Sequence, residues 1–193
     1  AGLARCRKQG MINSISAEEK KWEVILPLIK KYKPKVVAQC VDNSGMPNTV
    51  EKRLAIAEEL VEGLREAGVP DDDIFLDPLV KPISISSEYG LEVLECAEKL
   101  RSQYPHIHIV SGLSNISIGL PERRLLNRVF AVACAIKGMD TFLLDPLDQG
   151  MMSLLAATKA LIGEDEYCMD YISGVRAGRI RSRDNLCMDM SRR

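Results

Sequence analysis

What this 193-residue sequence lacks narrows its function first. It has almost no net charge, formally −1, so nothing points to nucleic acid or an anionic membrane surface as partner. It has no apolar run near the roughly 20 residues of a membrane span and no secretory leader pattern, so a cytoplasmic protein is expected. It has no CxxC pair. Cys6, Cys40, Cys96, Cys134, Cys168 and Cys187 are scattered, mostly in apolar surroundings, as reduced core thiols would be. Without ligand spacing, a cysteine-based zinc site is not expected. Histidine is scarce: His106 and His108 lie on one predicted strand, where a structural role fits better than a catalytic one. There is no low-complexity segment, no interdomain linker and no internal repeat.

What is present is an alternation. Residues Ala1 to Gln9 read as the last turns of a helix, with Arg5, Arg7 and Lys8 suited to its carboxyl end and Gly10 to its stop. Met11 to Ile15 reads as a short strand. Ser16, with Glu19 three residues on, reads as a capping box for a helix to about Lys31, and Pro27 inside it predicts a kink or an early break. Lys35 to Val41 predicts a buried strand. Thr49 predicts a cap for a helix with Leu54, Ala57, Leu60, Val61 and Leu64 on one face, ended by Gly68. Ile74 to Leu76 is a third strand, followed by a helix over about Glu88 to Gln103. His106 to Val110 is a fourth strand. Pro121 suits the first turn of the next helix, which runs to about Lys137. Thr141 to Leu144 is a fifth strand; helices follow over Met151 to Ile162 and about Glu164 to Ala177. The polar stretch 178–193 reads as a mobile, solvated tail.

Short, continuously apolar strands separated by amphipathic helices imply an α/β fold with parallel strands. An open doubly wound sheet would normally carry a glycine-rich phosphate turn after its first strand, and none is here. Instead every predicted strand ends in a small polar residue: Asn13, Asp42, Asp77, Asn115 and Asp145. Asp-Pro and Asn-Ser pairs are ordinary turn chemistry, but five ends of five favour a shared mouth, where ligands meet parallel α/β folds. A complete (β/α)8 barrel needs about 250 residues and eight units. Five units beginning inside a helix therefore suggest the carboxyl-terminal part of a barrel, in one domain over residues 1–177.

Several motifs resemble one family. Gly112-Leu-Ser-Asn115-Ile-Ser, followed by Pro121-Glu-Arg-Arg-Leu-Leu-Asn127-Arg128, is similar to the pterin-binding methyltransferases of corrinoid-dependent one-carbon metabolism. Met-Ile-Asn13-Ser14, Leu-Asp77-Pro78-Leu and Gly138-Met-Asp-Thr-Phe-Leu-Leu-Asp-Pro146 stand where that family has them. The resemblance implies a (β/α)8 TIM-type barrel of which strands four to eight are present, a homodimer, and no directly bound metal. It implies methyl transfer between N5 of tetrahydrofolate and the cobalt of a corrinoid on a partner protein. By resemblance Asp77 and Asn13 meet the pterin edge, Asn115 hydrogen-bonds N5 as the catalytic residue, and Arg123 lies near the pterin. Asp42 and Asp145 also stand at the mouth, where binding and turn formation are both open. Asn127 and Arg128 are expected to support the loop. Ile118 replaces a residue that is polar in some members, and the carboxylate of the family's third strand has no counterpart. A dihydropteroate synthase-like enzyme would need a glycine-rich loop after Asp77-Pro78 and a Ser-Arg-Lys-type strand end. Leu79-Val80-Lys81 and Ser114-Asn115 fit neither. An inactive barrel fragment is the remaining alternative.

Overall fold

The computed structural model describes residues 2–181. Five strands alternate with helices: β1 (Met11–Ser16), α1 (Glu19–Tyr32), β2 (Lys35–Gln39), α2 (Val50–Glu66), β3 (Ile74–Asp77), α3 (Glu88–Gln103), β4 (His108–Gly112), α4 (Arg123–Ile136), β5 (Thr141–Leu143), α5 (Gln149–Leu161) and α6 (Met169–Arg176). All strands are parallel, and the sheet order is β1-β2-β3-β4-β5. A doubly wound sheet reverses its strand order at a switch point; this one does not. Each strand lies beside its neighbour in sequence, as in a (β/α) barrel, and the fold is a parallel five-stranded α/β sheet consistent with part of such a barrel.

The inner strands β2, β3 and β4 carry buried apolar residues on both faces. Val36, Ala38, Ile74, Leu76 and Ile109 join the main core beneath the helices. Val37, Phe75 and Val110 form a second, small cluster on the other face. On α2, Thr49 caps the helix by accepting from the Lys52 N–H at 3.2 Å, and Ala57, Leu60, Val61 and Leu64 are fully buried. Truncating Leu60 or Leu64 to alanine in so close-packed a layer costs about 2–5 kcal/mol. Among the described residues no helix is long and apolar enough to cross a membrane, and the five described cysteines are free, three of them buried.

Several local expectations are corrected. Residues Leu3–Arg5 form one 3-10 turn with no buried residue, not the end of a longer helix; without an apolar face to pack, so short a helix does not hold. Ser16 is no cap. It is the buried last residue of β1, and its hydroxyl donates to Glu18. Pro27 neither breaks nor ends α1, because it lies on the solvent side, where water satisfies the carbonyl it frees. His106 lies in the turn before β4, not on the strand. Pro121 precedes α4 instead of opening it; Glu122 is the cap, in the left-handed region at φ 48°. The strand ends are corrected too: only Asp77 is the last residue of its strand. Asn13 lies inside β1, while Asp42, Asn115 and Asp145 lie in the loops after β2, β4 and β5. Of the expected tail, residues 182–193 lie outside the described residues.

Candidate functional site

Asp77 closes β3 and is 95% buried, with 5% of its surface exposed. Proline follows it, and Leu79 then takes a left-handed backbone at φ 66°, a conformation that disfavours a branched side chain by about 1–2 kcal/mol. That turn aims the Leu79 N–H at Asp77 Oδ1, 2.9 Å away. The Ser111 hydroxyl on β4 donates to the same oxygen at 3.1 Å. The Gln39 side chain, in register with Asp77 on β2, stands beside it and favours its ionised form. Gln39 Oε1 in turn accepts from the Ser14 hydroxyl on β1 at 2.7 Å. One row of polar side chains thus runs across the carboxyl ends of four adjacent strands. Burial pushes the Asp77 carboxyl above the usual carboxylate range, against the pull of Leu79, Ser111 and Gln39. An ionised carboxylate offers about four acceptor positions; Leu79 and Ser111 both take Oδ1, so capacity remains for donors from a ligand.

The alternation of the strands places the other residues. Asn13 pairs with Val37, and Val37 with Phe75; Asp77, two residues beyond Phe75, faces the same side. Asn13 is exposed there. Asn115 lies on the 3-10 turn Leu113–Ser117 that leaves β4, also exposed, and its side chain makes no hydrogen bond among the described residues. Its backbone is firmly held. Arg123 donates to the Ser117 hydroxyl at 3.0 Å and to the Ser114 carbonyl at 2.7 Å, and the Ser117 hydroxyl donates to Asn127 at 2.7 Å. Arg123 therefore braces the turn that presents Asn115, and Asn127 supports it as expected.

Asp42 and Asp145 resolve differently. Asp42 accepts from the Ser44 N–H at 2.8 Å and the Ser44 hydroxyl at 2.5 Å, and pairs with Lys52 at 3.3 Å. These contacts, Ser44 first, hold its carboxyl below the usual range. Its carboxylate is spent on the turn. Asp145 accepts from the Leu147 N–H at 2.9 Å, again a turn bond, yet it lines a cavity of about 510 Å³ with Leu113, Ser114, Arg124 and Asn127, next to Asn115. Arg128, expected to support the same loop as Asn127, instead forks onto Asp148 and joins α4 to the start of α5. A groove of about 740 Å³ between α1 and α2, with Trp22 and six glutamates, lies on the helical layer away from these strand ends.

Gln39 and Ser111 were missed by the sequence reading. The signal was present: each is a polar residue inside an apolar strand, and such a residue is kept only where it has a partner. An in-order parallel sheet of this kind defines an α/β protein of the partial-barrel type, and the buried carboxylate at its carboxyl edge marks the candidate site. The chain belongs to the pterin binding enzyme family, which it matches over residues 1–145. It is 40% identical over 177 residues to a methylcorrinoid:tetrahydrofolate methyltransferase of Eubacterium limosum, an alignment covering 91% of this chain and 65% of that protein. It is 31% identical over 153 residues to the methionine synthases of Mycobacterium tuberculosis and Mycobacterium leprae, covering 73% of this chain and 13% of each of them. The chain thus spans slightly less than two thirds of the methyltransferase and a small part of the synthases.

Proposed function

We propose that this chain is the pterin-binding part of a methyltransferase that moves a methyl group between N5 of tetrahydrofolate and the cobalt of a corrinoid carried by a partner protein. The observation that carries the reading is the pairing of two unlike groups at one edge of the sheet. Asp77 is a buried acceptor with two fixed donors, and the Asn115 side chain is an amide with no bond among the described residues, on a braced turn. In this reading β1 to β5 are strands four to eight of a (β/α)8 barrel. The 40% identity to a methylcorrinoid:tetrahydrofolate methyltransferase supports the substrate pair.

The chemistry follows from the side chains. The pyrimidine edge of a pterin offers an amino group and a ring N–H side by side, which a buried carboxylate accepts and which few other rings match. Asn13, exposed on the same face, supplies a further polar contact. An Asn115 placed at N5 acts in either direction of transfer: its carbonyl accepts the N5–H of tetrahydrofolate, and its amide N–H donates to N5 of methyltetrahydrofolate. Transfer exchanges a methyl group for a proton at N5, the proton passing to or from water, and an Asn115 hydrogen bond that strengthens along the way lowers the barrier without a titrating side chain. Arg123 keeps that amide in place. The corrinoid supplies the cobalt that accepts or gives the methyl group. The reaction belongs in the cytoplasm, in a homodimer.

Calorimetric titration of tetrahydrofolate, followed by methyl transfer with a methylated corrinoid protein, tests this. Asn115→Ala is expected to slow transfer about a hundredfold while leaving the thermal melt unchanged, since its side chain is exposed and makes no bond. An unchanged rate would overturn the assignment. The linear sheet, with β1 and β5 each paired on one side only, favours a second reading, in which the site is inactive without further strands. Binding by a longer chain but not by this one supports that.

A further inference from the structure

Gln39 is the last residue of β2 and stands between Ser14 on β1 and Asp77 on β3. A register irregularity in β1 puts Ser14 within its reach. Asn13 pairs with Val37 and Ile15 with Ala38, so β1 advances two residues while β2 advances one. The Ser14 hydroxyl donates to Gln39 Oε1 at 2.7 Å, which marks that atom as the acceptor end and turns the amide N–H₂ toward Asp77. The opposite orientation would set a carbonyl against the Asp77 carboxylate. The amide is therefore held in its donating orientation, and it is held from β1, on the far side of β2.

We propose that Gln39 is a specificity-determining positioning residue: by donating to Asp77 it keeps that carboxylate an acceptor, so the site selects a ring edge with two adjacent donors over one with a carbonyl at the 2-position. This rests on the pterin reading above and names what within that reading rejects the wrong ring. Burial alone favours the protonated form of Asp77, which would be a donor and would welcome a carbonyl. Leu79, Ser111 and Gln39 oppose that, and Gln39 is the one whose orientation is set by a further strand, through Ser14. The ionisable groups around Asp77 leave it this control. Cys40, after β2, is a buried thiol pushed up and neutral. His108 on β4 is stacked on Phe75 and bound to Asp140. Lys35 on β2 lies over Phe75 and near Asp73. Lys81, beyond β3, donates to the Pro47 carbonyl.

The test uses the 193-residue chain, with 6-methylpterin and 6-methyllumazine as probes; the second carries a carbonyl where the first carries the amino group. Affinities are measured by calorimetry from mildly acidic to neutral pH. The unsubstituted chain is expected to prefer the pterin at least about tenfold. In Gln39→Leu that preference falls by about tenfold, and the acidic limb of pterin binding moves to higher pH because Asp77 has lost a bond that favours its ionised form. Ser14→Ala shifts both in the same direction and by less. Gln39→Glu, nearly isosteric, sets a second carboxyl beside Asp77; the pair shares a proton, and the same limb moves further. Its thermal melt separates this from misfolding. A Gln39→Leu or Gln39→Glu chain that weakens both probes equally at every pH, or keeps the original preference and profile, overturns the proposal and leaves the pterin reading standing. Failure of the unsubstituted chain to bind 6-methylpterin overturns both.

Discussion

Asp77 carries a conflict between folding and binding. Its carboxyl is raised by burial above its ordinary value, so the folded state holds a proton that the unfolded chain releases sooner. The associated stability is fully present below the usual carboxylate range and is lost as pH rises through the folded value. Asp77→Asn is therefore expected to flatten the fall in stability between acidic and neutral pH, read by urea denaturation across that range, while abolishing pterin binding. A fall as steep as in the unsubstituted chain would show that another group is responsible. Asp77 and Asn115 were legible as candidates from their motifs. Arg123 was legible as a candidate, but its bonds to Ser114 and Ser117 were not, because these become neighbours only once the turn after β4 folds back on α4. Asp42 was legible only as a polar loop residue; the Ser44 and Lys52 contacts that occupy it decide for the turn.

Between elements, the contact most sensitive to substitution joins α2 to α3. Arg53 is fully buried. Its Nη1 donates to Glu92 at 2.8 Å, while Nε and Nη2 have no partner. Removing Glu92 strands a cation that is fully buried; replacing Arg53 by an apolar side chain of similar length leaves a carboxylate that is 21% exposed and within reach of water. Glu92→Ala is expected to lower stability by about 3 kcal/mol, and Arg53→Met by less, both read from the urea midpoint. Equal losses would mean that packing, not the stranded charge, governs the contact. The helices themselves were largely readable, because α2 and α3 show the 3.6-residue apolar period. Their ends were less so. A Ser-x-x-Glu spacing predicts a cap, yet Ser16 belongs to β1, where pairing with β2 competes for the same backbone.

At the scale of the whole molecule, the sheet ends in two strands paired on one side only. Met11 on β1 and Leu143 on β5 are each 45% exposed. Unpaired apolar edges invite strand addition, and charge on an edge discourages it. Leu143→Lys and Met11→Lys are expected to reduce concentration-dependent association in sedimentation velocity; no change would place any association elsewhere. The sequence by itself determined the alternation of strand and helix, the parallel sheet this imposes and the family, and it singled out Asp77 and Asn115 as candidates, because each is written in local periodicity or a contiguous motif. Tertiary structure alone decided how that carboxylate is held. Ser14 and Gln39 are 25 residues apart in the chain, and Asp77 and Ser111 are 34 apart. Such side chains touch only after parallel strands have aligned in register, and that register is a property of the assembled sheet, not of any stretch within it.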